Sequence, residues 1–296
     1  MSTRAEQIQQ HIDSFPVLPV TVNRLIKVTS DPESSAKDVM EAILPDQSLC
    51  VTVLKIANSV LFGRPKKVES VSMAVTVLGF NEVQRIALTK AIINSFHKLA
   101  TKQKQYVDKH WLHAFVCAMT AKTIARDLRI APDIAFMGGL IHDIGKLIML
   151  ETFHEDYVVE NWMTGFSSGT LLHDELDMFS FTHDYVGAQL LKQWLFPETL
   201  ITVVAHHHRP AEAGDDTDLA LTIQLADILS FYCCNQQLLE EYEGDINSAI
   251  NNSLPELRYQ WEEFGLPLED DEIDHWFSWL ASNFDQGSRL KDAFSA

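Results

Sequence analysis

His142 and Asp143 stand side by side inside the apolar run Gly139-Leu140-Ile141-His142-Asp143-Ile144-Gly145-Lys146. Burying a carboxylate and an imidazole is costly unless something satisfies both. A metal ion does so, because it takes a deprotonated carboxylate and a neutral imidazole nitrogen. A buried His-Asp hydrogen bond does so too, and the pair by itself leaves both open.

Further donor-type residues recur at positions that face inward by pattern. His113 shares a helical stripe with Cys117, Ala121 and Ile124. Asp227 falls in the four-residue series Leu219, Ile223, Asp227, Phe231. An unpaired carboxylate on such a stripe would neutralise, and its mid-segment place rules out a capping role. His183 precedes Gly187, Leu190, Leu191 and Trp194, and the run His206-His207-His208-Arg209-Pro210 follows. Successive helical residues fan out by ~100°, so three histidines cannot face one point unless the helix ends before Arg209-Pro210. Singly, each has an ordinary reading: a hydrogen-bonded core histidine, a surface residue at a helix start, a polar helix terminus. Together, two inward carboxylates and up to five histidines call for a shared cation. Oxygen and nitrogen donors without thiolate suit one or two divalent ions (iron, manganese, zinc or another first-row metal) better than a structural zinc site.

The elements that must position these residues read as helices throughout, an all-α pattern with little β-like alternation. Spacing and breakers predict helices over 20–28, with Val22, Leu25, Ile26 and Thr29 on one stripe. Ser30-Asp31-Pro32 ends that helix. The next runs to Leu44 behind a Ser34 or Ser35 cap, then come 48–57, a loop at Gly63-Arg64-Pro65, a Ser70-capped helix closed by Gly79, and 82–99. Further on, helices are expected at 111–128, 133–141, 144–150, 182–194, 198–207 and 217–233, with a connector holding Gly165, Ser167, Ser168 and Gly169. The polar stretch 100–109 suggests a boundary between two packed lobes: residues 1–100, a site-bearing lobe 110–232, and a C-terminal helical extension 233–296. That extension carries the acidic turn Glu269-Asp270-Asp271-Glu272 beside Trp261, Trp276, Phe277 and Trp279.

The chain has 296 residues, 46% hydrophobic, with a net charge of -18. That is enough apolar material for a substantial core. The acidic balance disfavours duplex nucleic acid, although a divalent metal would still admit a small phosphorylated ligand. The polar N-terminus and the lack of an ~18-residue apolar run argue against export and membrane spanning. Cys50, Cys117, Cys233 and Cys234 show no CxxC spacing and read as reduced thiols, which suggests a cytoplasmic protein. The adjacent Cys233-Cys234 pair also raises the idea of a sensor of metal or redox state.

The order His113, His142-Asp143, Asp227 resembles the H…HD…D signature of the HD metal-dependent phosphohydrolases. Several stretches narrow the likeness to HDOD domains: Leu18-Pro19; Asp46, Ser48, Leu49 and Leu54; Ala57-Asn58-Ser59 with Phe62-Gly63; Ala74 with Leu78-Gly79. The second half adds Trp111-Leu112-His113, the His142-Asp143 run, His183 with Gly187, Trp194, His207-His208-Arg209-Pro210 and Leu225-Ala226-Asp227. The resemblance spans about residues 14–232. It implies an all-helical signalling module that acts mainly through protein interaction with other signalling proteins. Many HDOD members have lost the metal residues, whereas this chain keeps His113, His142, Asp143 and Asp227. His183, His207 and His208 match positions that complete a two-metal site in the related HD-GYP phosphodiesterases. The alternative implied is therefore a phosphohydrolase in which Asp143 bridges two ions, activated water attacks phosphorus, and Lys146 contacts phosphate. No Gly-Tyr-Pro motif follows the paired histidines, which takes the chain away from cyclic di-GMP hydrolysis.

Overall fold

A computed structural model describes residues 3–29, 33–58, 67–157, 171–266 and 268–295. Ser30-Asp31-Pro32, Ser59, Phe62, the Gly63-Arg64-Pro65 loop and the Gly165–Gly169 connector lie outside the described residues. So do the side chains of Ile26 and Thr29. The described residues form α-helices and short 3₁₀ turns with no strand, the all-α class expected from the pattern.

The chain divides into two compact units, one of residues 1–15 with 103–287 and the other of 16–102 with 288–296. The smaller unit contains α2 (Val20–Thr29), α3 (Ala36–Ile43), α4 (Gln47–Ala57), α5 (Val71–Leu78), α6 (Phe80–Ser95) and α7 (His97–Lys102). Its helix starts follow local capping chemistry. Ser35, Asp46 and Ser70 each accept from the backbone N–H three residues on, satisfying a donor the helix cannot. Gly79 takes φ +81° and joins α5 to α6, a backbone state that side chains resist. Instead of one helix over 82–99, α6 stops at Ser95, and the fully buried Phe96 precedes the short α7. Asn58 bonds beyond its own helix: its side chain accepts from Val68 N–H and donates to the Val68 carbonyl, both at 2.8 Å.

The larger unit carries the site. It holds α1 (Arg4–Ser14), α8 (Lys104–Asp127), α9 (Pro132–Ile141), α10 (Ile144–Phe153), α11 (Leu171–Phe179), α12 (His183–Gln193), α13 (Glu198–His206), α14 (Thr217–Cys234), α15 (Ile246–Ser253), α16 (Leu257–Glu263) and α17 (Asp270–Ser295) up to residue 287. α1 opens on a capping box, Thr3 with Glu6, and packs against α10 and α12 through buried Ile8 and Ile12. α8 begins before the expected 111, so the polar stretch 104–109 is helical. Its lysines and glutamine favour helix, and buried Val107 anchors it.

α14 is apolar on nearly every face and forms the centre of the core. Residues 214–234 reach a mean hydropathy of 1.2, but 89% of that window is buried within the protein. Around α14 pack α8, α9 and α13, while α10 lies on α12. The C-terminal helices close over the same core. Trp261 is fully buried, and Trp276 Nε1 donates to Asp127 Oδ2 at 2.8 Å at the end of α8. Glycines let the helices approach. A Cβ on Gly139 would come within 2.9 Å of Ala118 Cα, bringing α9 against α8.

Candidate metal centre

Five stretches of chain deliver the donor side chains. His113 and Asp227 project from the interiors of α8 and α14. His142 and Asp143 occupy the junction where α9 ends and α10 begins. His183 is the first residue of α12, and His207 and His208 follow the end of α13. The end of α13 at His206 relaxes the fan of successive side chains. His207 and His208 turn to the site, while His206 faces Glu212 at 3.5 Å. Asp143 precedes α10 as its N-cap residue but makes no side-chain cap bond, because its carboxylate is committed elsewhere.

The contacts converge on Asp143. Its Oδ1 lies 3.1 Å from His183 Nε2 and 3.7 Å from His207 Nε2. Its Oδ2 lies 2.5 Å from Lys146 Nζ and 3.4 Å from His142 Nε2. Asp227 Oδ1 lies 2.8 Å from His113 Nε2 and 3.3 Å from His142 Nε2. His208 Nε2 meets His183 Nε2 at 3.0 Å. Asp143, His183, His207 and His208 thus form one group of four donors, and His113, His142, Asp143 and Asp227 form another. Within each group the donor atoms lie within 4.8 Å of one another. Asp143 belongs to both.

Hydrogen bonds at the opposite edge of three imidazoles fix what faces the centre. His142 Nδ1 lies 2.9 Å from the Gly139 carbonyl, and His207 Nδ1 lies 2.8 Å from the Val204 carbonyl. His183 Nδ1 lies 2.8 Å from Glu175 Oε2. Each partner only accepts, so each Nδ1 carries a proton and each ring turns its Nε2 toward carboxylate oxygens. An unprotonated Nε2 facing oxygens at these distances is repelled unless a proton or a metal ion lies between them. His142 Nε2, His207 Nε2 and Asp143 Oδ1 accordingly make no hydrogen bond among the described residues. The donors present fit a hard or borderline divalent ion.

Electrostatics among the side chains themselves carry the same message. Burial pushes the Asp143 and Asp227 carboxyls up, but the His142 charge, joined at Asp143 by Lys146 and His183 and at Asp227 by His113, outweighs it and holds both well below the usual carboxylate range. Burial pulls His142 down, and Asp143, Cys117 and Asp227 together more than reverse it, leaving it well above the ordinary histidine value. His183 is likewise depressed by burial and raised by Glu175, ending at about 9. Protons on these two rings stand where a cation would. Burial keeps His207 and His208 low, and both are neutral and ready to ligate.

Lys146, one turn into α10, is buried and ion-paired to Asp143. Sequence reasoning passed over Glu175, Tyr157 and Asp184. Glu175 receives Tyr157 OH at 2.7 Å as well as His183. Asp184 is fully buried, pairs with Arg209 at 3.0 Å and accepts from Thr182. A charge directly after His183 was the one signal for Asp184, and nothing local marks Glu175. Gly145 and Gly187 bring α10 and α12 together, which sets Asp143 against His183.

Residues 15–210 match the HDOD domain family model. An uncharacterized protein of Treponema pallidum (strain Nichols) is 22% identical over 218 residues, covering 72% of this chain and 41% of that protein. The chain therefore spans about two fifths of this curated relative. A Shewanella amazonensis SB2B protein with a provisional phosphohydrolase designation superposes with TM-score 0.69 at 19% identity, covering 97% of this chain and 98% of that one. An HDOD domain protein of unknown function from Geobacter sulfurreducens superposes with TM-score 0.63 at 20% identity, covering 96% and 98%. At these identities the structural likeness speaks for the fold. The family match extends over most of the sequence and takes in His113, His142-Asp143, His183 and the paired His207-His208: the chain belongs to the HDOD domain family.

Proposed function

We propose that this HDOD chain is a signal-transduction module built around a two-ion centre, and that the centre acts on a small phosphoester ligand. The observation that carries the proposal is the place of Asp143 in both four-donor groups. Bound divalent ions would supply Lewis-acid activation of water and neutralise charge at phosphorus. The chain's own residues hold the geometry. Asp143 joins the two sides, and the fixed Nδ1 protons keep three Nε2 atoms turned inward. Lys146 offers a cation beside the shared carboxylate, placed to meet an anionic ligand. Among the histidine donors, only His113 and His208 are part-exposed, so the ligand approaches from their edge. The ions we favour are iron, manganese or another first-row metal. Four free cysteines accord with a reducing, cytoplasmic location.

The test is metal analysis of anaerobically purified protein, paired with a phosphodiesterase and phosphatase panel on wild type and Asp143→Ala. Two ions per chain and hydrolysis abolished by the substitution are expected. Full metal stoichiometry in Asp143→Ala would overturn the proposal.

A second reading has the ions tie helices together while the output is binding to another signalling protein. The closure of the centre favours it: His142, His183 and His207 are fully buried and Asp143 and Asp227 nearly so. So does Arg209-Pro210-Ala211-Glu212, which follows the paired histidines in place of Gly-Tyr-Pro. A metal-replete protein inert on every phosphoester would establish this reading over the first.

A further inference from the structure

The two halves of the centre differ in charge and in what stands behind their imidazoles. One half has two carboxylates, Asp143 and Asp227, with His113 and His142. The other has three imidazoles and only the shared Asp143. Behind His142 and His207 stand backbone carbonyls, whereas behind His183 stands a carboxylate, Glu175. Glu175 is buried and engaged on both oxygens. Oε2 accepts the His183 backbone N–H at 2.8 Å and the Nδ1 proton at 2.8 Å, and Oε1 accepts Tyr157 OH at 2.7 Å.

Resting on the two-ion reading, we infer that Glu175, held by Tyr157, is a positioning residue that gives the His183–His207–His208 half its affinity for a cation. The geometry supplies three reasons. The carboxylate on Nδ1 holds the proton there and leaves Nε2 as the ligating atom. It makes that Nε2 a stronger donor, as carboxylates behind ligating histidines do. It also adds a negative charge beside a half whose donor set has one carboxylate. The same oxygen that orients the ring accepts the N–H of the first residue of α12, so backbone and side chain of His183 are fixed by one group. Tyr157 keeps Glu175 from rotating away.

The experiment is a Mn²⁺ titration of the full chain, with free ion counted by its EPR signal, for wild type, Glu175→Gln and Tyr157→Phe. Circular dichroism and thermal melts check folding. Glutamine keeps the size but loses the charge and cannot accept all of these bonds. Wild type is expected to bind two ions. Glu175→Gln should weaken one ion by about 10- to 100-fold and leave the other unchanged. Tyr157→Phe should weaken the same ion by less, and it decides the matter if Glu175→Gln does not fold. A general loss of stability would not single out one ion of two. Two ions bound by the folded variants with wild-type affinity, or both weakened equally, would overturn this inference alone. A wild type that binds no Mn²⁺ would remove the two-ion reading and this inference with it.

Discussion

The Cβ of an alanine at position 145 would lie 1.9 Å from the carbonyl oxygen of His183, well inside van der Waals contact. The start of α10 and the start of α12 are thus pressed together by the absence of a side chain at Gly145. Its near neighbour Asp143 reaches the His183 ring because of that approach. Gly145→Ala must move backbone, since the obstructing atom belongs to no flexible side chain. We expect a loss of about 3 kcal/mol, the upper end of overpacking costs, in a urea unfolding curve. Metal stoichiometry should fall with it. A variant of wild-type stability would show that α10 and α12 do not need this contact.

Asp143 and Asp227 should behave differently on removal. Asp143 belongs to both donor groups, and Asp227 to one. Asp143→Ala should abolish binding of both ions. Asp227→Ala should leave one, held by Asp143, His183, His207 and His208. Elemental analysis of the two proteins, purified side by side under nitrogen, reads this directly. Equal stoichiometry in both variants would contradict the shared-carboxylate arrangement.

Lys146 and Asp143 form a buried ion pair at 2.5 Å. Breaking such a pair by removing one partner costs about 3–5 kcal/mol, because the remaining charge is left buried. A bound divalent ion compensates that charge. Lys146→Met should therefore melt far below wild type without metal, and the gap should shrink by more than half at saturating Mn²⁺. A gap indifferent to Mn²⁺ would mean that no cation reaches Asp143.

The Cys233 and Cys234 thiols titrate late. Burial raises Cys233 to about 11, and burial together with the neighbouring thiol raises Cys234 to about 12. A raised thiol keeps its proton at neutral pH, and only the thiolate reacts. At pH 8 roughly one Cys233 in a thousand carries a thiolate, by the distance of three pH units from its midpoint. Iodoacetamide should label this pair slowly at pH 8, about tenfold faster per pH unit up to about 11, and rapidly in urea. Fast native labelling at pH 8 would revive the redox-sensor idea that these values argue against.

Local chemistry made much of this protein readable from its residues in order. The caps at Ser35, Asp46 and Ser70 bond to backbone three residues away, within one turn, and no distant partner is needed to foresee them. The helices carrying the donors follow from apolar spacing, since burial of one face imposes its period on the sequence. Asp227 and His113 stood out because a polar group on an apolar stripe needs a partner, and His142-Asp143 because both fall in an apolar run. The capping box of Thr3 with Glu6 at the start of α1 is local chemistry of the same kind.

Tertiary structure decided what depends on approach between distant segments. Sequence spacing could not say that His207 and His208 turn inward while His206 does not, because that depends on the residue at which α13 ends. Nor could it show that Asp143 belongs to two donor groups, which needs Gly145 against the backbone of His183. Glu175 carries no local mark at all. It is one carboxylate among 41 acidic residues in the chain, distinguished only by being buried beneath the ring of His183. A sequence records which side chains want partners, through their polarity and period. Which partner each obtains is set by packing, because hydrogen bonds and coordination act over about 3 Å while the residues that make them lie far apart along the chain.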